Sequence, residues 1–179
     1  TNSSLTITGL TGETLYDFYL VDSCADGSAS IAVPLTVKTA CSLSAPAILP
    51  LVDGFENYTS GPTFTSGDYL CNPSYYWEMQ TAANVRFRLQ AGTAWYNSGA
   101  QAMTMDHDPF ASTIETNFLT MTVNLSNYTS ASGIELGFSV MDHGAPSSAD
   151  NKVWARGNAA DAWVEILDLN SATTGIGFY

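Results

Sequence analysis

Seventeen acidic against five basic residues in a chain of 179 leave a formal net charge of −12, and without clustered Lys and Arg to neutralise phosphate a nucleic-acid partner is excluded. Only 12% of residues are charged, against roughly 25% in an average soluble protein, while 45% are apolar. Ser, Thr, Asn and Gly fill the surface instead, the balance of an extracellular β-protein that buries a real core in one large or two small domains. The acidity disfavours an anionic membrane surface and suits either solubility or divalent cations.

The N-terminal TNSSLTITGL lacks the basic region and apolar core of a signal peptide. It alternates Leu5 and Ile7 with Thr and reads as a strand. In TGETLYDFYLVDSC, Tyr16, Phe18 and Leu20 alternate with Asp17, Tyr19 and Val21. Ala25-Asp26-Gly27-Ser28 is a turn and IAVPLTVKTA a return strand, so residues 15–40 form a hairpin. CSLSAPAILP follows with small residues, two prolines and no periodicity, which marks residues 42–50 as a linker. The longest apolar run, Ala45 to Val52, is broken by those prolines and is too short to enter and span a bilayer.

LPLVDGFENY opens a second unit over residues 51–179. Tyr75-Tyr76-Trp77 is an aromatic cluster. Val85, Phe87 and Leu89 alternate with Arg86 and Arg88, which puts two of the five bases on one strand face. Ala102, Met103 and Met105 lead into a turn at Asp106-His107-Asp108-Pro109. Leu119, Met121, Val123 and Leu125 alternate with Thr120, Thr122 and Asn124. The stretch from Gly133 to Leu169 organises the rest: Ile134, Leu136, Phe138 and Val140 form a strand, MDHGAPSSADN a polar loop, and residues 152–156 and 162–169 two more strands. Chemistry is expected in or beside that loop, because loops on a rigid scaffold carry function. No apolar period of 3.6 persists anywhere, so no helix is expected.

The spacing of Leu10 and Tyr16, with Gly12 and Thr14 between, resembles the tyrosine corner of fibronectin type III domains, where the Tyr hydroxyl bonds back to the backbone. Residues 1–41 would then be the C-terminal part of such a domain, its last three strands, with further chain expected before Thr1. DGFENY, Cys71, Trp77, SGAQAMTMD, NFLTMTVNLSNY and DNKVWARGNAADAWVEILDL, in that order, resemble the MAM-like or cleaved-adhesin jelly roll of large secreted bacterial surface proteins. SATTGIGFY stops where closing strands are still expected, so this domain too reads as truncated. The expected fold is all-β: a partial fibronectin type III sandwich plus a jelly-roll β-sandwich. The resemblance implies a domain that binds or displays, often with structural calcium, and has no catalytic role.

Calcium takes six to eight oxygens, usually from loops. The resemblance places ligands at Asp53 and Glu56. Asp106 and Asp108 flank a turn, and Asp142 and Asp150 bracket the polar loop. No D-x-D-x-D-G loop is present, and solvated turn carboxylates are the plainer alternative. Met-Asp-His occurs twice, at 105–107 and 141–143. A zinc site needs three or four converging ligands. A triad needs a framed nucleophile, and Ser139, Ser147 and Ser148 near His143 lack one. Glu56, Glu78, Glu115 and Glu165 could supply a glycosidase pair only if two of them faced across a cleft. No catalytic residues are therefore assigned. Arg156-Gly157-Asn158 is similar to an integrin-type tripeptide whose acid is replaced by Asn; Arg156 is expected over an aromatic ring or paired with Asp161.

Trp95, Tyr96, Trp154 and Trp163 could form a sugar-stacking platform, but a strand has a core face, and at least one of Trp154 and Trp163 is expected to be buried. Cys24 and Cys41 lie at opposite ends of the first hairpin, roughly 30 Å apart, beyond a disulfide's reach. Cys41 with Cys71 is the expected disulfide, clamping the linker onto the second unit and leaving Cys24 free or paired elsewhere. Asn2, Asn57, Asn124 and Asn127 satisfy the N-glycosylation pattern. These readings converge on a non-catalytic adhesion or structural display module of a large secreted, cell-surface or filament protein. Its partners would be other domains of the same chain and a surface ligand, glycan or protein. The alternatives are an accessory region of a secreted hydrolase and a carbohydrate-binding module.

Overall fold

The computed structural model describes residues 5–81, 85–92, 98–107, 116–128, 133–141, 151–169 and 176–178. Within them the regular structure is twelve strands and one 3-10 turn, with no α-helix, so the chain is all-β. Strands β1 (Leu15–Leu20) and β2 (Val33–Lys38) pair as a hairpin. Strands β3 (Thr63–Phe64), β6 (Val85–Ala91) and β7 (Gln101–His107) form one three-stranded antiparallel sheet in the order β3-β6-β7. Strands β4 (Tyr69–Cys71), β5 (Tyr75–Gln80) and β8 (Phe118–Val123) form another, in the order β4-β5-β8. Strand β9 (Ser139–Met141) pairs with β12 (Ile176–Phe178), and β10 (Lys152–Ala155) with β11 (Val164–Asp168).

The core lies between the two three-stranded sheets. Phe87 and Leu89, two residues apart on β6, point to one face by the strand's period and are almost fully buried. They meet Leu70 of β4 and Met79 of β5, with Phe55, Tyr58, Phe64, Trp77, Met103 and Leu119 packed around them. Cross-strand pairs extend the contact: Met79 lies opposite Leu119 and Leu89 opposite Met103. Each fully buried side chain of this kind stabilises by about 1.5–3 kcal/mol.

The hairpin has no comparable core. Its register sets Tyr16 opposite Val37, Phe18 opposite Leu35 and Leu20 opposite Val33, so all six share one face. Leu20 is 75% exposed and Leu35 62%. The turn is held as the sequence implies: Cys24 and Ser28 bond through the backbone, and the Asp26 carboxylate accepts from both the N–H and the hydroxyl of Ser28. The Tyr16 hydroxyl accepts the Thr11 N–H at 2.8 Å, and Thr39 ties Thr11 to Thr14 from the opposite strand end.

Three expectations need correction. Leu5–Leu10 alternates but forms no strand, and β9 begins only at Ser139, leaving Ile134–Phe138 outside it. Alternation fixes which face a residue would take; a strand also needs a neighbouring ladder, and among the described residues none runs beside these stretches. Asp106 and His107 belong to β7, opposite Arg86 and Val85, because β6 carries the ladder past the point where a turn was expected.

Residues 42–50 contain no strand, yet they do not hang free. Ala45 N–H bonds Pro73 O, Ala47 N–H bonds Asn124 O, and Leu49 N–H bonds the Tyr128 hydroxyl. Ala47 is completely buried. Cys41 and Cys71 are joined in a disulfide, and Lys38 pairs with Asp68 at 3.6 Å. Cys24 is free and exposed. Among the described residues no helix is long and apolar enough to cross a membrane.

The disulfide closes a sequence separation of 30 residues. Replacing both cysteines by Ala is expected to lower stability by about 3.5 kcal/mol through restored loop entropy in the unfolded chain. A urea midpoint that does not move in the double variant would disprove the clamp.

Candidate functional site

The best-built polar cluster lies at one end of the core, in the segment DGFENY. Phe55 has φ 64, a left-handed conformation costly for a bulky side chain. Local bonds hold it there. Asp53 Oδ1 accepts the Phe55 N–H at 2.8 Å, and the Phe55 carbonyl accepts from Tyr58 N–H. The side-chain amide of Gln101, itself buried, donates to the carbonyls of both Phe55 and Tyr58. The Phe55 ring packs on Trp77 with centroids 5.2 Å apart.

Trp77 turns its indole N–H onto Asp53 Oδ2 at 2.7 Å, so each carboxylate oxygen of Asp53 holds a donor. The hydroxyls of Tyr58 and Tyr75 lie against the same group. Burial, then the Tyr75 hydroxyl and the Asp53 charge, push the Tyr58 phenol far above its ordinary range. Burial also raises Tyr75, while the Tyr58 hydroxyl opposes that shift and Asp53 adds to it. Glu56, three residues on, accepts from the N–H groups of Ala100 and Gln101 at 2.8 and 3.3 Å. Gly99, with φ +81, lets that carboxylate approach the backbone where a Cβ would collide with it.

The two acids to which the resemblance assigned calcium, Asp53 and Glu56, therefore hold the loop in place, and neither belongs to a group of three acidic, His or Cys ligands among the described residues. Among the described residues the acidic, His or Cys side chains that do converge in a group of three are Glu13, Cys41 and Cys71, at the junction of hairpin and sheet, and the two sulfurs are bonded to each other. Asp106 sits within β7. Asp108, Asp142, Asp150, His143, Glu115, Ser147, Ser148, Trp95 and Tyr96 lie outside the described residues. Glu78 accepts from Gln80 and Tyr69 beside an open depression of about 440 Å³ lined by Ser66, Gly67, Thr116 and Phe118. Glu165 pairs with Lys152 at 3.1 Å. Of the described N-glycosylation acceptors, Asn57 and Asn127 are exposed, and the Asn124 side chain accepts from Ser126 N–H.

Arg156 lies over Trp163 at 4.3 Å from the ring centre, as one expectation had it. The other fails: Trp154 and Trp163 are 43% and 44% exposed, and neither enters the core. β10 and β11 make a two-stranded sheet of their own, and among the described residues no sheet of the core packs against their aromatic face. Gln101 escaped the sequence reading altogether. Its signal was a lone amide in the otherwise small and apolar run SGAQAM. No family model, curated protein or solved structure matches the chain.

A phenol that holds its proton more tightly in the folded chain than in the unfolded one stabilises the fold while both remain protonated. That contribution is fully present below the ordinary value of 10.0 and drains away as pH rises past it toward the raised folded value. Stability is expected to fall between roughly pH 9 and 11, and less steeply in Tyr58→Phe. Urea midpoints across that interval measure it; parallel curves for the two proteins would refute the role of Tyr58.

Proposed function

We propose that the chain is a non-catalytic module for adhesion or structural display in a larger secreted or cell-surface protein, the end of a fibronectin type III-like unit followed by a MAM-like jelly roll. The junction carries this reading. The disulfide Cys41–Cys71, the ion pair Lys38–Asp68 and the backbone bonds of Ala45, Ala47 and Leu49 tie the hairpin and the intervening segment to the β4-β5-β8 sheet. Such a joint holds neighbouring β-units at a set angle, which suits presentation of a surface along a chain of domains. A hinged linker would suit independent binding instead.

Other observations support the parts. The bond from Thr11 N–H to the Tyr16 hydroxyl is the contact a tyrosine corner makes. Two antiparallel sheets facing across an apolar core are the frame of a sandwich. A disulfide suits an oxidising compartment.

Beads coated with the chain are expected to stay on cultured epithelial monolayers in greater number than albumin-coated beads, after equal washing. Equal retention retires the adhesion reading. The calcium implied by the resemblance has its own measurement. An ion bound only by the native state raises the melting temperature, so the protein is expected to melt higher in calcium than in chelator. Identical melting curves remove calcium from the proposal.

A further inference from the structure

The pairing of β10 with β11 sets Trp154 opposite Glu165 and Ala155 opposite Val164, with a register shift between Val153 and Trp154. Alternation then places Lys152, Trp154 and Arg156 on one face with Trp163 and Glu165. The contacts agree. Lys152 Nζ reaches Glu165 at 3.1 Å and lies 6.0 Å from the centre of the Trp154 ring, and Arg156 covers Trp163. Two of the five bases of a strongly acidic chain thus sit on one small face beside two indoles, each less than half exposed.

The face is also held still. Arg156 donates to Ala159 O, and the turn that follows is closed by Asn158, whose amide donates to Asp161 and whose oxygen accepts the Ala160 N–H. The guanidinium, fixed by that turn, orients Trp163 before any ligand arrives, which lowers the ordering cost of binding.

We propose that this face binds a neutral pyranose polysaccharide. A sugar ring has an apolar C–H face, which stacks on an indole, and a rim of hydroxyls that each donate and accept. Lys152 and Arg156 supply donors and Glu165 an acceptor within the same few residues. An anionic glycan would meet Glu165 and the acidity of the whole chain. A protein partner would want a broader apolar centre, of about 800 Å² per side, and two part-exposed rings ringed by charge do not offer one. The proposal rests on the non-catalytic reading given above and names a ligand for it.

The test is affinity electrophoresis of the intact chain in gels containing soluble xylan, galactan or mixed-linkage β-glucan, with polygalacturonate as the charged comparison. At least one neutral polysaccharide is expected to retard the protein. Trp154→Ala and Trp163→Ala are each expected to weaken binding about tenfold or more. Arg156→Lys and Glu165→Gln, which keep the shape of the face, are expected to weaken it by less. Circular dichroism checks that each variant folds, and should either tryptophan variant fail, the two conservative ones decide. Retardation by none of the neutral gels, retardation by polygalacturonate alone, or affinity untouched by these changes overturns the glycan assignment. Release of reducing ends from a bound polysaccharide would leave the binding face standing and retire the non-catalytic reading. Adhesion of coated beads without any glycan binding would do the reverse.

Discussion

The contact of Phe87 and Leu89 with Leu70 and Met79 is what the two three-stranded sheets depend on. A sheet of three short strands is unstable in water unless one face is covered, and these four side chains let each sheet cover the other. The ends of that contact must be closed without leaving polar groups dry. At one end the work falls to DGFENY. Trp77 belongs partly to the core, and its indole N–H needs an acceptor there. Asp53 supplies it, and in doing so ties the opening segment to β5. The buried amide of Gln101 answers two carbonyls of the same loop. Removing any one partner strands another, which costs about 1–3 kcal/mol per buried group.

The β1-β2 hairpin is built on another principle. A lone two-stranded hairpin is marginal in water, and this one leaves most of an apolar face exposed. Its order comes from local ties: the Asp26 turn, the Tyr16 hydroxyl on Thr11, Thr39 across the strand ends, and a close approach at Gly12, where a Cβ would come within 3.0 Å of the Ala40 carbonyl. The disulfide then fastens the end of the hairpin to a sheet that does have a core. Cross-linking contributes most where burial contributes least, as small β-units generally require.

Period two was legible wherever a neighbouring strand existed to use it. The alternation in β1, β2, β6 and β8 marks true strands, and the reach of a hairpin ruled out Cys24 with Cys41, with Cys41–Cys71 the expected pair that forms. The same alternation misled at Leu5–Leu10 and Ile134–Phe138, because a sequence pattern records faces and is silent about partners. Short strands such as β3 carry too few residues to show a period at all. The acids were legible as important and illegible in role. Asp53 and Glu56 present the oxygens a cation would want, and backbone and indole N–H groups want those same oxygens. Which donor arrives is settled by folding, through the φ of Phe55 and the closeness of Gly99, and neither of those is written in the spacing of the carboxylates. The tryptophans failed for a related reason. Their strands were identified, but the assumption that every strand faces a core does not hold for a two-stranded sheet of its own.

The excess of acid over base explains how this surface is satisfied. With five Lys and Arg for seventeen carboxylates, most acids cannot find an ion pair, and several of the described ones take N–H and hydroxyl donors, Asp68 in addition to its pairing with Lys38. Asp17 takes the Thr36 hydroxyl, Asp68 the Thr65 N–H, Asp26 Ser28, and Glu56 the backbone at Ala100. Such bonds are short-range and local, so they set turns and strand ends and lend little to recognition at a distance. Against that background the β10-β11 face is the exception. There two cations lie on indoles, one of them also paired with an acid, and the aromatic surface remains open to solvent. Several carboxylates elsewhere hold backbone N–H groups. Here the charged groups border part-exposed indoles, and that combination is what the proposed glycan-binding face rests on.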